Sequence, residues 1–462
     1  METNSTFKQI KNFKKIHFVG IGGTGMYGIA EVLLNLGCNI TGSDISKTDV
    51  TKRLKYLGVK IFNSHRVSNI KGADLVIYSN AIKKSNPELV YAAAHNIPSI
   101  PRAEMLAELM RFKYGIAVAG SHGKSTTTSI ISWVLSQCKL DPTYIIGGKL
   151  KSSSSHGKLG AGEYLVAEAD ESDSSFLYLN PQVNIITNID KEHLDYYHEN
   201  IINLKNTYTK FINNIPFYGT SFINGDDKNI RSIIKNISRS YITFGLSSSN
   251  SFYASNIDYR KTKMYFHINN KDKMFLVKSR IFGDHNILNM LVAYAVCLYL
   301  NIPSSKIISA LNKFDGISRR FDVYENIKIG NFAPILVNDY GHHPTEIKYT
   351  IETIRKKWKN KKIFMIFQPH RYSRTKTCLN EFMNVLSSTD KLILTETYSG
   401  GEKRTKYSSK LIHKKLSDLN HQCHYIKNIY DIPAQIKKAI SSDDIIVVQG
   451  AGNISELIDL LK

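Results

Sequence analysis

Cysteine is scarce and unpatterned in this chain. Cys38, Cys138, Cys297, Cys378 and Cys423 are scattered, with no CxxC pair and no zinc-ligand spacing. That argues for reduced thiols and against a disulfide framework or a zinc site, and nothing supports a catalytic cysteine. Long apolar runs are missing too. No stretch approaches the ~20 residues of a membrane helix, so no membrane insertion is expected. The opening METNSTFKQIKNFKK is polar, then basic, and lacks the apolar region of a signal peptide, so the expected location is the cytoplasm. Repeats and long low-complexity segments are absent. So is any one-sided gathering of charge. The net charge is +22, yet Lys and Arg are spread along the chain with only short clusters such as Ile354 to Lys362, IRKKWKNKK. Nucleic-acid binding needs a basic face or arm with aromatics to stack bases, so no nucleic-acid partner is expected. A diffuse positive field still draws in anionic substrates.

What the chain does have is length and alternation. Its 462 residues suggest three domains at roughly 150 residues each. KIHFVG reads as a strand, TGMYGIAEVLLNLG as a helix ending at Gly37, and CNITGSD as a strand. DVTKRLKYLG then reads as a helix and DLVIYSNAI as a buried strand. Such alternation implies parallel βαβ units and a doubly wound sheet. A second α/β unit starts at YGIAVAG, Tyr114 to Gly120, and a third near Arg320. The third holds four strands, in PILVNDYGHHPTEI, KIFMIFQPHRYSRT, KLILTETYSG and DIIVVQGAG. Lys151 to Glu163, KSSSSHGKLGAGE, reads as a flexible loop inside the second unit. The expected organisation is α/β throughout: a Rossmann-like domain over 1–112, a central P-loop ATPase-type domain over 113–319 and a Rossmann-like domain over 320–462.

Two glycine-rich turns stand out. Gly20, Gly22 and Gly25 satisfy GxGxxG between a strand and a helix, and Asp44 follows about 20 residues on, at the end of the next strand. Glycines let backbone N–H groups approach a diphosphate at a helix N-terminus. The motif leaves NAD(P), another nucleotide diphosphate and a purely structural turn open. The second turn, Gly120 to Ser125 (GSHGKS), also lies between a strand and a helix. It is shorter than a full GxxxxGK[ST] loop, since Val118 stands where the first glycine belongs. A helix terminus contributes only ~0.3–1 kcal/mol toward an anion. Lys124 adds a full charge for the β/γ-phosphates, and Ser125 offers a hydroxyl to Mg²⁺. EADESD supplies Glu168, Asp170, Glu171 and Asp173 at one strand end; NIDKEHLD supplies Asp190, His193 and Asp195 at the next. Two such clusters beside a phosphate loop point to a metal. Hydride transfer needs no ATP, so the pair of turns disfavours a dehydrogenase and suggests a ligase or kinase acting on a nucleotide-linked substrate.

The stretches GIGGTGMYGIAEVL, GSHGKSTTT, EADESDSSF, TNIDKEHLDYY, GDHNILNMLVA, GISRRFD, NDYGHHPTEI, FQPHRYSRT and GAGNI occur in this order. Together they resemble the Mur ligases of peptidoglycan synthesis, over essentially the whole chain. The resemblance implies ATP-dependent addition of L-alanine to UDP-N-acetylmuramate through an acyl phosphate, with ADP and phosphate released. It gives the first turn to the UDP diphosphate, with Gly22, Gly23, Thr24, Gly25, Met26, Ser43, Asp44, Ser79 and Asn80 around the UDP-sugar. It gives ATP to Gly120, Ser121, His122, Gly123, Lys124, Ser125 and Thr126, with Asn286, Asn289, Arg320 and Asp339. Ser125, Glu168 and His193 match ligands of two Mg²⁺ ions, with Mn²⁺ able to stand in. Lys124, Glu168, His193, Arg320 and His343 are the implied catalytic set, His343 as a candidate to position or deprotonate the amine. His370, Arg371 and Arg374 would bind the alanine carboxylate or the acyl phosphate. The departures are small. Ser121 and Ser125 replace commoner threonines, Ser318 replaces a different polar residue, and a modified lysine used by relatives has no assigned counterpart beyond nearby Lys205 and Lys210. The murein tripeptide-recycling reaction on the same UDP-sugar is the rival within the family.

Overall fold

The computed structural model describes residues 12–46, 48–147, 157–271, 273–325 and 327–462, and for Thr24 only the backbone. The first eleven residues and residues 151–156 of the loop expected over Lys151 to Glu163 lie outside that set. The chain is α/β, with three sheets among the described residues. Its described residues pack as two compact units. One runs to Ser255 and adds His267–Val277 and Leu288–Asp315; the other joins Asn256–Phe266 and Lys278–Ile287 to Gly316–Lys462.

The first unit holds the N-terminal sheet, in the order Lys60–Phe62, Asn39–Ser43, Lys15–Val19, Leu75–Tyr78, Ser99–Pro101. Every pairing is parallel. Ile16, Phe18 and Val19 are fully buried because helices cover both faces of such a sheet. The chain leaves the central strand at the point where the strand order reverses, which is where doubly wound sheets bind ligands. Helix Thr24–Asn35 follows, and it stops where the sequence predicts. Gly37 takes a φ of 90°, its N–H reaches Leu34 O, and the Cys38 N–H reaches Leu33 O. That is a Schellman C-cap, and glycine is the residue that adopts it without strain.

A second sheet sets Tyr114–Ala119 between Tyr164–Glu168 and Val183–Ile186, all parallel. Three strand ends therefore deliver Gly120, Glu168 and Thr187 side by side. Below them, the Phe176 and Phe211 rings stack at 4.6 Å and Phe176 meets Tyr208 edge-on at 5.3 Å. Truncating a buried Phe of this kind costs about 3–5 kcal/mol, so this cluster is a firm floor for the acidic turn above it. The same sheet continues beyond Tyr241–Gly245 through Phe252–Tyr259, Met264–Asn270 and Lys273–Ser279. The sequence reading left those three strands unassigned.

The C-terminal sheet runs Asp322–Tyr324, Ile335–Asp339, Asp444–Gln449, Lys362–Phe367, Lys391–Thr395, Cys423–Ile426. The four expected strands are joined by two more, and Asp322–Tyr324 is an antiparallel edge. No described helix is long and apolar enough to cross a membrane.

Candidate active site

The first glycine turn is built by backbone geometry and one carboxylate. Gly20 has a φ of 80°. Its N–H and that of Ile21 donate to Ser43 O at 2.8 and 3.2 Å. Asp44 caps the turn: Oδ2 accepts from Gly22 N–H and Oδ1 from Ser46 N–H, both at 2.8 Å. A Cβ on Gly22 would sit 2.8 Å from Asp44 Oδ2, and one on Gly25 would sit 3.0 Å from Arg102 Nη1. Gly23 is the N-cap of helix Thr24–Asn35 and supplies no side-chain cap. Ser79 N–H donates to Val19 O at 3.1 Å, which ties the neighbouring strand end to this one. Asn80 donates to Asp173.

Two residues expected at the UDP-sugar turn face elsewhere. The Met26 side chain is 1% exposed and belongs to the core. The Ser43 hydroxyl is fully buried, 2.9 Å from His65 Nδ1 and donating to Glu88 Oε2. The Ser43 carbonyl, by contrast, accepts from the Gly20 and Ile21 N–H groups of the turn. Glu88 anchors that hidden network, accepting from Asn69 Nδ2 at 2.7 Å with His17 Nε2 3.7 Å away. Burial would push its carboxyl up, but His17, Ser43 and Asn69 outweigh that and hold it at about 2.

The second turn carries its own cation. Gly120 and Gly123 have φ of 132° and 86°. A Cβ on Gly120 would lie 2.0 Å from Thr187 Oγ1, and one on Gly123 would lie 2.7 Å from Asn289 Oδ1. Gly123 is the N-cap of helix Lys124–Gln137 and offers no side chain, so the helix start keeps open N–H groups. Lys124 Nζ donates to Gly120 O at 2.6 Å and to Glu171 Oε1 and Oε2 at 2.9 and 2.8 Å. Burial alone would lower the lysine; Glu171, Asp170 and Glu192 outweigh it and keep the ammonium charged. For Glu171 burial wins, and its carboxyl is pushed up. Tyr197 OH donates to Glu171 O and fixes that residue's backbone.

Around this lysine the expected residues gather unevenly. Ser121 Oγ accepts from Asp190 N–H at 2.8 Å, and His122 N–H donates to Asn188 Oδ1 at 2.9 Å. Thr126 is buried in the first turn of the helix, and Ser125 is half-buried beside it. Asn289 Oδ1 accepts from Thr127 Oγ1 at 3.1 Å. Glu168 Oε1 accepts from Gly147 N–H at 2.6 Å. Donor atoms of Glu171, Glu192 and His193 lie within 4.8 Å of one another. Sequence reasoning named His193 but paired it with Glu168 and Ser125, and it missed Glu192. The signal was present, since Glu192 adjoins His193 in DKEHLD. Two carboxylates and an imidazole suit a divalent cation, so the donor chemistry fits the expected metal.

The remaining expected residues lie in the second unit. Arg319 and Phe321 take φ of 62° and 55° on either side of Arg320. Arg320 Nη1 pairs with Glu346 Oε1 at 3.1 Å, and its guanidinium sits 5.2 Å from the Tyr340 ring centre. Asp339 accepts from Gly341 N–H at 2.6 Å and Phe321 N–H at 2.8 Å. Burial raises its carboxyl to about 6 against the pull of Arg320. Asn286 is buried and donates to Phe282 O at 2.7 Å. His343 is 3% exposed and caps helix Pro344–Lys357: Nδ1 accepts from Thr345 N–H at 3.3 Å, and Nε2 lies 3.6 Å from Cys378 Sγ. The cap fixes the orientation of the ring at the start of that helix. His370 stacks on Tyr398 at 5.4 Å, and Arg374 Nη1 donates to His370 O at 3.1 Å. Arg371 has a φ of 69°, and its buried Nε has no hydrogen-bond partner among the described residues.

Comparison with known proteins is consistent along the whole chain. Three family models match in order: the Mur ligase family catalytic domain over residues 15–114, the Mur ligase middle domain over 118–297 and the Mur ligase glutamate ligase domain over 319–452. The chain belongs to the Mur ligase family. A UDP-N-acetylmuramate–L-alanine ligase from Vesicomyosocius okutanii is 47% identical over 97% of this chain and 96% of its own length. One from Wigglesworthia glossinidia brevipalpis is 41% identical over 98% of both. Among solved structures, a UDP-N-acetylmuramate–alanine ligase from Thermotoga maritima is 28% identical with a TM-score of 0.81, covering 96% of this chain and 98% of that one. A murein peptide ligase from Psychrobacter arcticus shares the Mur ligase fold at 22% identity, with a TM-score of 0.71 over 97% of this chain and 98% of that one.

Proposed function

We propose that this chain joins L-alanine to the lactyl carboxylate of UDP-N-acetylmuramate, with ATP consumed, in peptidoglycan precursor synthesis. The observation that carries the reading is a pair of glycine cradles in one unit, of which only the second bears a lysine. Full-length relatives at 41–47% identity with that reaction in their names support it. Residues 1–112 hold the sugar nucleotide, 113–319 hold ATP and 320–462 receive the amino acid. The turn Gly22, Gly23, Thr24, Gly25 faces the UDP diphosphate by its backbone, with Asp44, Ser79 and Asn80 alongside and Ser43 and Met26 behind. Gly120 to Thr126 receive the triphosphate, with Asn289 bracing Gly123 and Asn286, Arg320 and Asp339 contributing from later in the chain.

The chemistry divides into two displacements. The lactyl carboxylate attacks the γ-phosphorus, ADP leaves and an acyl phosphate forms. The unprotonated amine of L-alanine then attacks the acyl carbon through a tetrahedral intermediate, and phosphate leaves. Lys124 exchanges Glu171 for the transferring phosphoryl group and, with Arg320, spreads its charge. Glu168, Ser125 and His193, with Glu171 and Glu192, would hold Mg²⁺, which neutralises phosphate charge when bound. His370, Arg371 and Arg374 orient the alanine carboxylate or the acyl phosphate, the arginines through their bidentate fork. His343 positions the helix start beside them.

The test is phosphate release from ATP with UDP-N-acetylmuramate present and each amino acid, or L-alanyl-γ-D-glutamyl-meso-diaminopimelate, added in turn. L-alanine is expected to give the fastest turnover. Exclusive use of the tripeptide would move the chain to the recycling reaction, and NAD(P)H oxidation without ATP would move it to another class.

A further inference from the structure

We propose that Arg102 is a further residue of the sugar-nucleotide site, and that through Asp170 it couples that site to the ATP site. The inference rests on the reading that the first cradle holds the UDP diphosphate. Arg102 starts helix Arg102–Arg111, directly after edge strand Ser99–Pro101 of the N-terminal sheet. It therefore emerges at the same carboxyl edge as the glycine turn. Its guanidinium lies flat against Gly25, so close that a Cβ there would meet Nη1 at 3.0 Å and Cδ and Cζ at 3.1 Å. Gly25 is in the first turn of helix Thr24–Asn35, where the open N–H groups gather. A planar fork at that point matches two phosphate oxygens.

Without phosphate the guanidinium has another partner. Arg102 Nη2 pairs with Asp170 Oδ2 at 3.5 Å, and the Asp170 side chain is 44% exposed. The Arg102 side chain is only 15% exposed, but at 3.5 Å and with its acidic partner reached by water the contact is long, and a diphosphate can take the arginine. Asp170 also lies within the electrostatic reach of Lys124, one residue before the carboxylate that clamps that lysine. It is a shared counter-ion of the two cradles. A second bridge stands beside it, since Asn80 at the sugar-nucleotide turn donates to Asp173 of the same acidic turn. When the diphosphate draws Arg102 away, Asp170 loses one of its two cationic neighbours and adds net negative charge at the ATP cradle. That strengthens the pull on a magnesium ion arriving with the nucleotide. By linkage, magnesium-nucleotide tightens UDP-sugar binding by the same factor.

The experiment is calorimetric titration of the full chain with UDP-N-acetylmuramate, with and without Mg²⁺ and a non-hydrolysable ATP analogue. Wild type is expected to bind the sugar nucleotide about fivefold or more tightly when the nucleotide is present. Asp170→Asn keeps or improves the affinity without nucleotide, because the latch is gone, and its coupling factor falls to about one. Arg102→Ala weakens sugar-nucleotide binding about tenfold and loses the coupling, and Arg102→Lys restores part of the affinity. A coupling factor in Asp170→Asn equal to wild type, an uncoupled wild type, or unchanged affinity in Arg102→Ala overturns the inference while leaving the proposed function standing. Failure of wild type to bind UDP-N-acetylmuramate at all overturns both.

Discussion

The two glycine turns of the first unit share a plan and differ in what answers the anion. Each leaves the end of a central parallel strand, and each opens a helix with a glycine N-cap and no side-chain cap. The first is closed by a carboxylate, Asp44, on the Gly22 N–H, and contains no cation of its own. The second contains Lys124, parked on Glu171. A turn of the first kind suits a ligand that is held and not broken. A turn of the second kind suits a phosphate that must be transferred, since a developing charge needs a full positive charge already in position.

Replacing the cation should separate the turns most sharply. Lys124→Ala is expected to cut phosphate release by about a thousandfold, as loss of a preorganised charge-stabilising donor does. A tenfold loss or less would mean that the lysine serves Glu171 and not the phosphoryl group. The support beneath the first turn is next. Glu88 is fully buried and held at about 2 against an ordinary 4.5, so its stabilisation is full above about pH 4.5 and is lost as pH falls toward 2. Glu88→Gln should cost about 3 kcal/mol near neutral pH and flatten the acid limb of a denaturation profile. An unchanged acid limb would break the link between that network and the Ser43 carbonyl on which the turn hangs.

Glycine substitutions give a smaller and reciprocal contrast. Gly22→Ala pushes against Asp44 Oδ2 and should weaken the sugar nucleotide about tenfold with ATP affinity unaltered; Gly123→Ala, at a φ of 86° and against Asn289 Oδ1, should do the converse. Equal losses of both ligands in either variant would merge the two sites. The smallest effect is expected for Ser125→Thr, within about twofold in turnover, because the hydroxyl is kept.

Much of this contrast is legible in the chain itself. GxGxxG does form a turn between strand and helix with Asp44 at the next strand end, and GSHGKS does open a helix at Lys124; that Asp44 accepts from Gly22 N–H was not in the motif. The Gly37 stop was readable because only one local geometry ends a helix that way. Facing was harder to read. Both faces of a parallel strand are buried, so no alternation told which way the Ser43 hydroxyl turns, and Glu88 sits 45 residues from its partner. Arg102 and Asp170 meet across even more chain, and neither belongs to a phosphate motif. That His343 also caps a helix could not be read from GHHP; it takes the backbone at Thr345 to reveal it. The strands over Phe252–Tyr259, Met264–Asn270 and Lys273–Ser279 carry no motif, and although their burial alternates in the fold, polar residues such as Asn256, His267 and Asn269 interrupt the apolar pattern in the sequence.

The central claim is that one turn anchors the carrier and the other energises its carboxylate. Equilibrium titration of Lys124→Ala with UDP-N-acetylmuramate, in the absence of nucleotide, tests it most directly. The account predicts a Kd within about threefold of wild type in a variant that no longer releases phosphate. A sugar-nucleotide affinity that collapses together with phosphate release would contradict it.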